Sequence, residues 1–388
     1  MNVELPQPSP QDQESSRQLK EIIADEIRHS KGHISFEHYM HACLYTETLG
    51  YYERDHNIFG RSGDFTTSPE RSRYFAMAFA AHIKKIHKSL GKFTVVEVGA
   101  GSGQFAVDLI SALKNINCVP EKYLIIEKSD TLKSRQKKLL TEQCSDAIDV
   151  SWRSELDEEI QCGVVIANEV LDALPVRLIN ISHQQILERC VGLSETDLIY
   201  IDVPADEQLI EICASRLPNT ILKNNTGSYL TEINTAMPEF IEQMAALVKQ
   251  GIFFYIDYGY PRKEYYQPSR SMGTLICHYR HVANDQALTW PGLQDISSNV
   301  DFTALAEAAQ QAELHLNCYC TQAHFLMASN FLEMIEVSNT AETLNEQAEL
   351  KRLMMPGEMG ERFQVMVLTK NMDVSEAEFA MRDLTHRL

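Results

Sequence analysis

Residues 93–105 read Phe93-Thr94-Val95-Val96-Glu97-Val98-Gly99-Ala100-Gly101-Ser102-Gly103-Gln104-Phe105. The β-branched run from Thr94 to Val98 predicts a strand, the three glycines a turn, and the apolar-periodic segment Phe105 to Leu113 a helix. Strand, glycine turn and helix form the opening unit of a nucleotide-binding α/β domain. Glycine admits positive φ and lets a ligand approach the backbone closely. The free N–H groups at the helix start favour an anionic group.

The spacing narrows the ligand. A dinucleotide fingerprint is G-x-G-x-x-G, whereas this turn is Glu-x-G-x-G-x-G with Glu97 two residues before the first glycine. A pyrophosphate would be repelled by that acid. S-adenosylmethionine would not, because it carries an ammonium and a sulfonium at that end and only one carboxylate. Glu127 ends the next apolar run, Tyr123-Leu124-Ile125-Ile126-Glu127, where an acid accepts both ribose hydroxyls in such folds. The competing reading is a structural glycine turn in a protein that binds something else. Two acids and three glycines falling in place together favour the methyl donor.

The chain has 388 residues, 44% hydrophobic and 23% charged, which is enough for one large domain with insertions or two ordinary ones. A formal net charge of −19 argues against a DNA or RNA substrate and fits a basic partner or peptide. Cysteines at 43, 118, 144, 162, 190, 213, 277, 318 and 320 contain no C-x-x-C pair and no disulfide framework. No apolar run is long enough to span a bilayer. The first residues lack both a signal-peptide core and the Arg-rich character of a transit peptide, so a reducing cytoplasm is the expected compartment.

Residues 1–16, rich in Pro, Gln and Ser, are expected to be disordered, followed by a helical segment over 17–91. From 92 to 370, strands at 94–98, 123–127, 163–167 and 252–258 alternate with helices at 104–115, 131–142 and 235–249. That pattern predicts a parallel sheet covered on both faces. Insertions are expected at about 176–230, opening with β-rich antiparallel text, and at 259–300, rich in Tyr, Pro, Gly and Arg. Further helices run to about 354, a last strand covers 362–370, and a tail 371–388 closes the chain.

In an open α/β sheet, ligands bind beyond the carboxyl ends of the strands. The run Asn168-Glu169-Val170-Leu171-Asp172-Ala173-Leu174-Pro175 follows the third parallel strand, near where a methyltransferase delivers its methyl group. Asn168, Glu169 and Asp172 suit an acceptor nitrogen there. They equally suit a helix start, with Asn168 as N-cap and acids in the first turn. Gly63-Asp64-Phe65-Thr66-Thr67-Ser68-Pro69 reads as a loop ending in a helix cap. Tyr258, ending the strand at 252–258, is either a packing aromatic or a substrate contact. His278, Arg280 and His281 make a poor metal set, and no metal is expected.

Taken together, these segments make the chain resemble the MidA-like family, which includes the mitochondrial complex I assembly factor acting as a protein-arginine methyltransferase. The matching pieces include Gly-Tyr-Tyr (50–52), Gly-Asp-Phe-Thr-Thr-Ser-Pro-Glu (63–70), Glu-Val-Gly-Ala-Gly-Ser-Gly (97–103), Asn-Glu-Val-Leu-Asp-Ala-Leu-Pro-Val (168–176), Ile-Asp-Tyr-Gly-Tyr (256–260) and Met-Gly-Glu-Arg-Phe-Gln-Val (359–365). The resemblance implies a Rossmann-like class I methyltransferase sheet with N-terminal helices and α/β insertions. It implies that S-adenosyl-L-methionine is bound by Glu97, Gly99, Gly101, Gly103, Glu127 and Asp64, with Asn168, Glu169 and Asp172 as catalytic residues. It also implies a protein client bearing the arginine, with no nucleic acid and no membrane insertion. The chain departs from the family pattern at 297–299, Ser-Ser-Asn, and at 276–278, Ile-Cys-His. A client-holding assembly factor and a small-molecule methyltransferase stand as alternatives.

Overall fold

Thr94–Val98 forms strand β1 because its side chains alternate between two apolar layers: Val95 joins one core, Val96 and Val98 the other. The computed structural model describes residues 4–54, 72–144, 148–154, 159–223, 227–334, 341–374 and 378–388. The central sheet continues with β2 (Lys122–Ile126), β3 (Asp149–Arg153), β4 (Ile160–Asn168), β5 (Val248–Tyr260), β6 (His315–Thr321) and β7 (Phe363–Lys370). Its order is β6-β7-β5-β4-β1-β2-β3. The β5-β4-β1-β2-β3 contacts are parallel, and β7 runs antiparallel to both of its neighbours. This is the class I methyltransferase sheet that the family resemblance implies.

Helices cover both faces. The helices α1 (Pro10–His29) and α2 (Phe36–Tyr45) precede α3 (Arg73–Leu90), α4 (Gln104–Asn115) and α5 (Asp130–Cys144). Phe75 and Phe79 of α3 and Phe105 and Leu109 of α4 pack with Val95, Val164 and Phe254. On the other face, α6 (Met237–Leu247) and α7 (Phe302–Gln311) pack with Val96, Val165 and Phe253. Strands buried on both faces therefore read as continuous apolar runs.

A second, antiparallel sheet is built from Arg177–Ser182, Gln185–Ser194, Asp197–Pro204, Ser228–Ile233 and the short strand His33–Ile34. Leu19, Ile23, Phe36 and Tyr39 of the first two helices pack against its Leu178 and Val191. Residues 259–300 hold a small antiparallel sheet of Ile276–Tyr279, Val282–Asn284 and Asp295–Ser297.

Three features differ from the sequence reading. β3 was not anticipated: it is a half-exposed edge strand in which Ser151 and Arg153 interrupt any apolar pattern. Helix α1 begins at Pro10, inside the stretch expected to be disordered. Ser9 caps it, accepting from Asp12 N at 3.1 Å, and Leu5 upstream is buried. Ser followed by Pro is a helix-start signal that the bulk composition obscured. Residues 378–388 dock on the sheet: Phe379 and Leu384 are buried, and Leu384 N donates to Tyr319 O at 2.7 Å.

Candidate active site

The carboxyl ends of β1, β2, β4 and β5 open into a cavity of about 870 Å³. The turn after β1 turns sharply because Gly99, Gly101 and Gly103 have φ of 64°, 54° and 88°. At Gly99 an added Cβ would lie 3.1 Å from Val170 Cγ2, so a side chain there is both strained and crowded. Gly99 and Gly101 line the cavity. Gly103 is not among the lining residues; it precedes α4 as its N-cap and lies beside Gln136.

Glu97 lies in the cavity wall, 5% exposed, and its Oε2 accepts from the Tyr123 hydroxyl at 2.6 Å. Burial pushes its pKa up to about 7, with Tyr123 opposing and the Glu127 charge reinforcing that rise. Glu127 follows β2. Its Oε1 accepts from Ser129 N at 3.1 Å and its Oε2 from Gln136 Nε2 at 3.1 Å. Burial raises this carboxyl as well. Gln136 also donates to Gly101 O at 2.9 Å and accepts from Trp152 Nε1 at 3.0 Å, so it ties the glycine turn to the acid after β2. Sequence reasoning missed Gln136, because a glutamine within a helix carries no motif.

Asn168, Glu169 and Asp172 are brought together on the next wall. Asn168 ends β4, Glu169 lies at a bend and Asp172 in the turn that follows; no helix starts here, so the N-cap reading of Asn168 does not hold. The turn is pinned by Asp257, which is buried on β5 and whose Oδ2 accepts from Leu171 N at 3.0 Å and Asp172 N at 3.1 Å. Glu169 adopts a φ of 53°, a strained conformation for a non-glycine residue. Asn168 Nδ2 donates to Glu169 Oε1 at 3.1 Å, which orients that carboxylate.

Asp172 is 6% exposed and accepts from the Tyr258 hydroxyl. Burial, and next the Asp295 charge, push it up to about 7. Among the described residues, Asn168 Oδ1 and Asp172 Oδ1 are buried without a hydrogen-bond partner. Both residues line the cavity, so a ligand bound there can supply the missing donors. Tyr258 is thus part of the site, as is Tyr52 of the Gly-Tyr-Tyr piece (50–52), and Asp295 is a further cavity residue that no local motif marked. Asp64 lies outside the described residues.

The lining carries Glu53, Glu97, Glu127, Glu169, Asp172 and Asp295 against Lys128, Arg270 and Arg362. An acid-rich cavity of this kind favours cations. The chain's departures from the family pattern stand beside it. Ser298 N donates to Asp172 O at 3.1 Å, while Asn299 and His278 line the cavity. Among the described residues no group of His, Cys, Asp and Glu is arranged to hold a metal ion, and no helix is long and apolar enough to cross a membrane.

Comparison with known proteins agrees with this geometry. A family model described as "Putative S-adenosyl-L-methionine-dependent methyltransferase" matches residues 74–320. A Burkholderia thailandensis protein, solved bound to S-adenosyl-homocysteine, superposes with a TM-score of 0.93 at 34% identity, covering 99% of this chain and 100% of that one. The protein arginine methyltransferase NDUFAF7 homolog, mitochondrial, of Caenorhabditis elegans is 27% identical over 76% of this chain and 72% of its own length. The rat protein arginine methyltransferase NDUFAF7, mitochondrial, is 26% identical over 87% of this chain and 81% of its own. The cytoplasmic expectation is corrected by these findings, since the curated relatives carry mitochondrial names. Its physical basis was insufficient: nine free thiols specify a reducing environment but not which compartment supplies it.

Proposed function

The chain belongs to the MidA-like family of S-adenosyl-L-methionine-dependent methyltransferases, and from that premise we propose that it methylates arginine side chains of a protein client. The observation that carries this reading is the strained, acid-bearing segment 168–172, whose Asn168 and Asp172, each with an unpartnered buried oxygen, line an acidic cavity. The curated relatives, named protein arginine methyltransferases, support the same acceptor.

The residues suit the cofactor. Gly99 and Gly101 let it approach the backbone, Glu97 suits its ammonium, and Glu127 suits its ribose hydroxyls. When bound, S-adenosylmethionine supplies an electrophilic methyl on a sulfonium.

The chain's own residues must then make a guanidinium nucleophilic, although it is charged at any physiological pH. Glu169, held by Asn168, accepts from two guanidinium N–H groups, which fixes the plane and orients the third nitrogen. Asp172, with Oδ1 unpartnered, accepts the proton that this nitrogen loses. Asp257 and the strained backbone keep the acids in place, so positioning supplies much of the rate.

The test offers peptides containing arginine, lysine or citrulline to the protein with S-adenosylmethionine and scores methylation by mass spectrometry. Methylation confined to arginine, and lost in Glu169→Gln, supports the reading. Equal methylation of lysine would overturn it.

A further inference from the structure

Asp295 lies on the small sheet of the 259–300 insertion, 5% exposed, and lines the same cavity as Asp172. The Tyr52 hydroxyl donates to Asp295 Oδ1 at 2.8 Å, just as the Tyr258 hydroxyl donates to Asp172. Tyr258 Oη also lies 2.9 Å from Ser297 Oγ, two residues beyond Asp295, so one phenol spans the two segments. The Ser298 N–H to Asp172 O bond joins their backbones. Two carboxylates so placed, from different elements, cannot both ionise cheaply away from water. Asp172 Oδ1 is buried without a hydrogen-bond partner.

We propose that Asp295 is a further acid of the acceptor site, forming with Asp172 a buried pair that shares one proton at rest and releases it when a guanidinium enters. The proposal rests on the arginine reading and deepens it: the pair selects for a cation. A neutral isostere cannot compensate the second negative charge, so it gains nothing from displacing the proton.

Other titratable groups surround the pair. Tyr258 and Asp257 come from β5, Glu169 from the Asp172 turn, and Tyr45 and Tyr52 from the end of α2 and the segment after it. His278 stands opposite Asp295 in the antiparallel pairing. Of the cationic side chains on the wall, Arg270 is held by the Tyr265 carbonyl at 3.0 Å and stacks over the Tyr260 ring; the others are Lys128 and Arg362.

The test is calorimetric titration of the S-adenosyl-homocysteine-loaded protein with N-acetyl-arginine amide and N-acetyl-citrulline amide, near pH 6.5, in two buffers of different ionisation enthalpy. Wild type should bind the arginine probe with release of about one proton and the citrulline probe at least about ten-fold more weakly. Asp295→Asn should abolish the release and weaken arginine binding at least about ten-fold. Tyr52→Phe removes a donor to the ionised form, so its release should move to higher pH. His278→Gln should retain the release.

Arginine binding without proton release, or release unchanged in Asp295→Asn or lost in His278→Gln, overturns the pair while leaving the arginine reading intact. Equal binding of citrulline overturns both. Should Asp295→Asn fail to fold, the direction of the Tyr52→Phe shift decides.

Discussion

Replacing Glu97 by Gln separates the cost of this acid from its use. The carboxyl is buried against the glycine turn, and its pKa rises from 4.5 to about 7, chiefly through desolvation. At about 1.36 kcal/mol per pH unit, the folded, cofactor-free protein above pH 7 carries a penalty of about 3 kcal/mol for ionising it. The direction follows from linkage. Between pH 4.5 and 7 the unfolded chain releases this proton while the folded one keeps it, so stability falls as pH rises through that window. Glu97→Gln removes the loss. Its urea midpoint should match wild type near pH 4.5 and exceed it by the equivalent of about 3 kcal/mol at pH 8.

Cofactor affinity should move the opposite way. Ionised Glu97 attracts the ligand ammonium, so wild-type binding of S-adenosyl-homocysteine should strengthen from pH 6 to 8 by about ten-fold, then level off, whereas Glu97→Gln should show a flatter profile and weaker binding at pH 8. Both profiles are read by chemical denaturation and calorimetry. Parallel curves for the two proteins in either assay would refute the assignment of Glu97 as a buried acid held ready for a cation.

Gly101→Val forces a β-branched residue to a φ of 54° on the cavity floor and should abolish S-adenosyl-homocysteine binding; calorimetry showing wild-type affinity would contradict it. Gln136→Leu cuts the tie between Gly101 and Glu127 and should weaken cofactor binding about ten-fold, measured the same way. Glu169→Gln should lower turnover at least about a hundred-fold while leaving cofactor affinity within a factor of two. Turnover should also rise with pH through about 7, where Asp172 becomes able to accept a proton, and a flat initial-rate profile would remove it from that role.

The fold was legible where physics acts locally. β1 through the glycine turn into α4 combines β-branched residues, positive-φ glycines and helical periodicity, and the observed bounds Thr94–Val98 and Gln104–Asn115 match the reading. β3 was not legible, because an edge strand buries too little to leave an apolar pattern. The cavity was legible in part. Glu97, Glu127 and the 168–172 run sit at strand ends, which the topology of an open sheet singles out. Asp295 and Gln136 reach the cavity only through tertiary packing of segments far apart in the chain, and Asp257 acts through backbone N–H groups 85 and 86 residues away. A single sequence holds no local trace of such contacts. Compartment was the least legible, since it depends on addressing and not on the physics of the folded domain.

On the proposed reading, this cavity places a methyl group on protein arginine. Its most direct test incubates the protein with S-adenosylmethionine labelled in the methyl group and an extract of cells lacking the protein, followed by complete hydrolysis and amino-acid analysis. Label should appear in methylarginine, be absent with Gly101→Val and be strongly reduced with Glu169→Gln. Label recovered only in another amino acid or in small molecules would contradict it, as would wild-type labelling by Glu169→Gln.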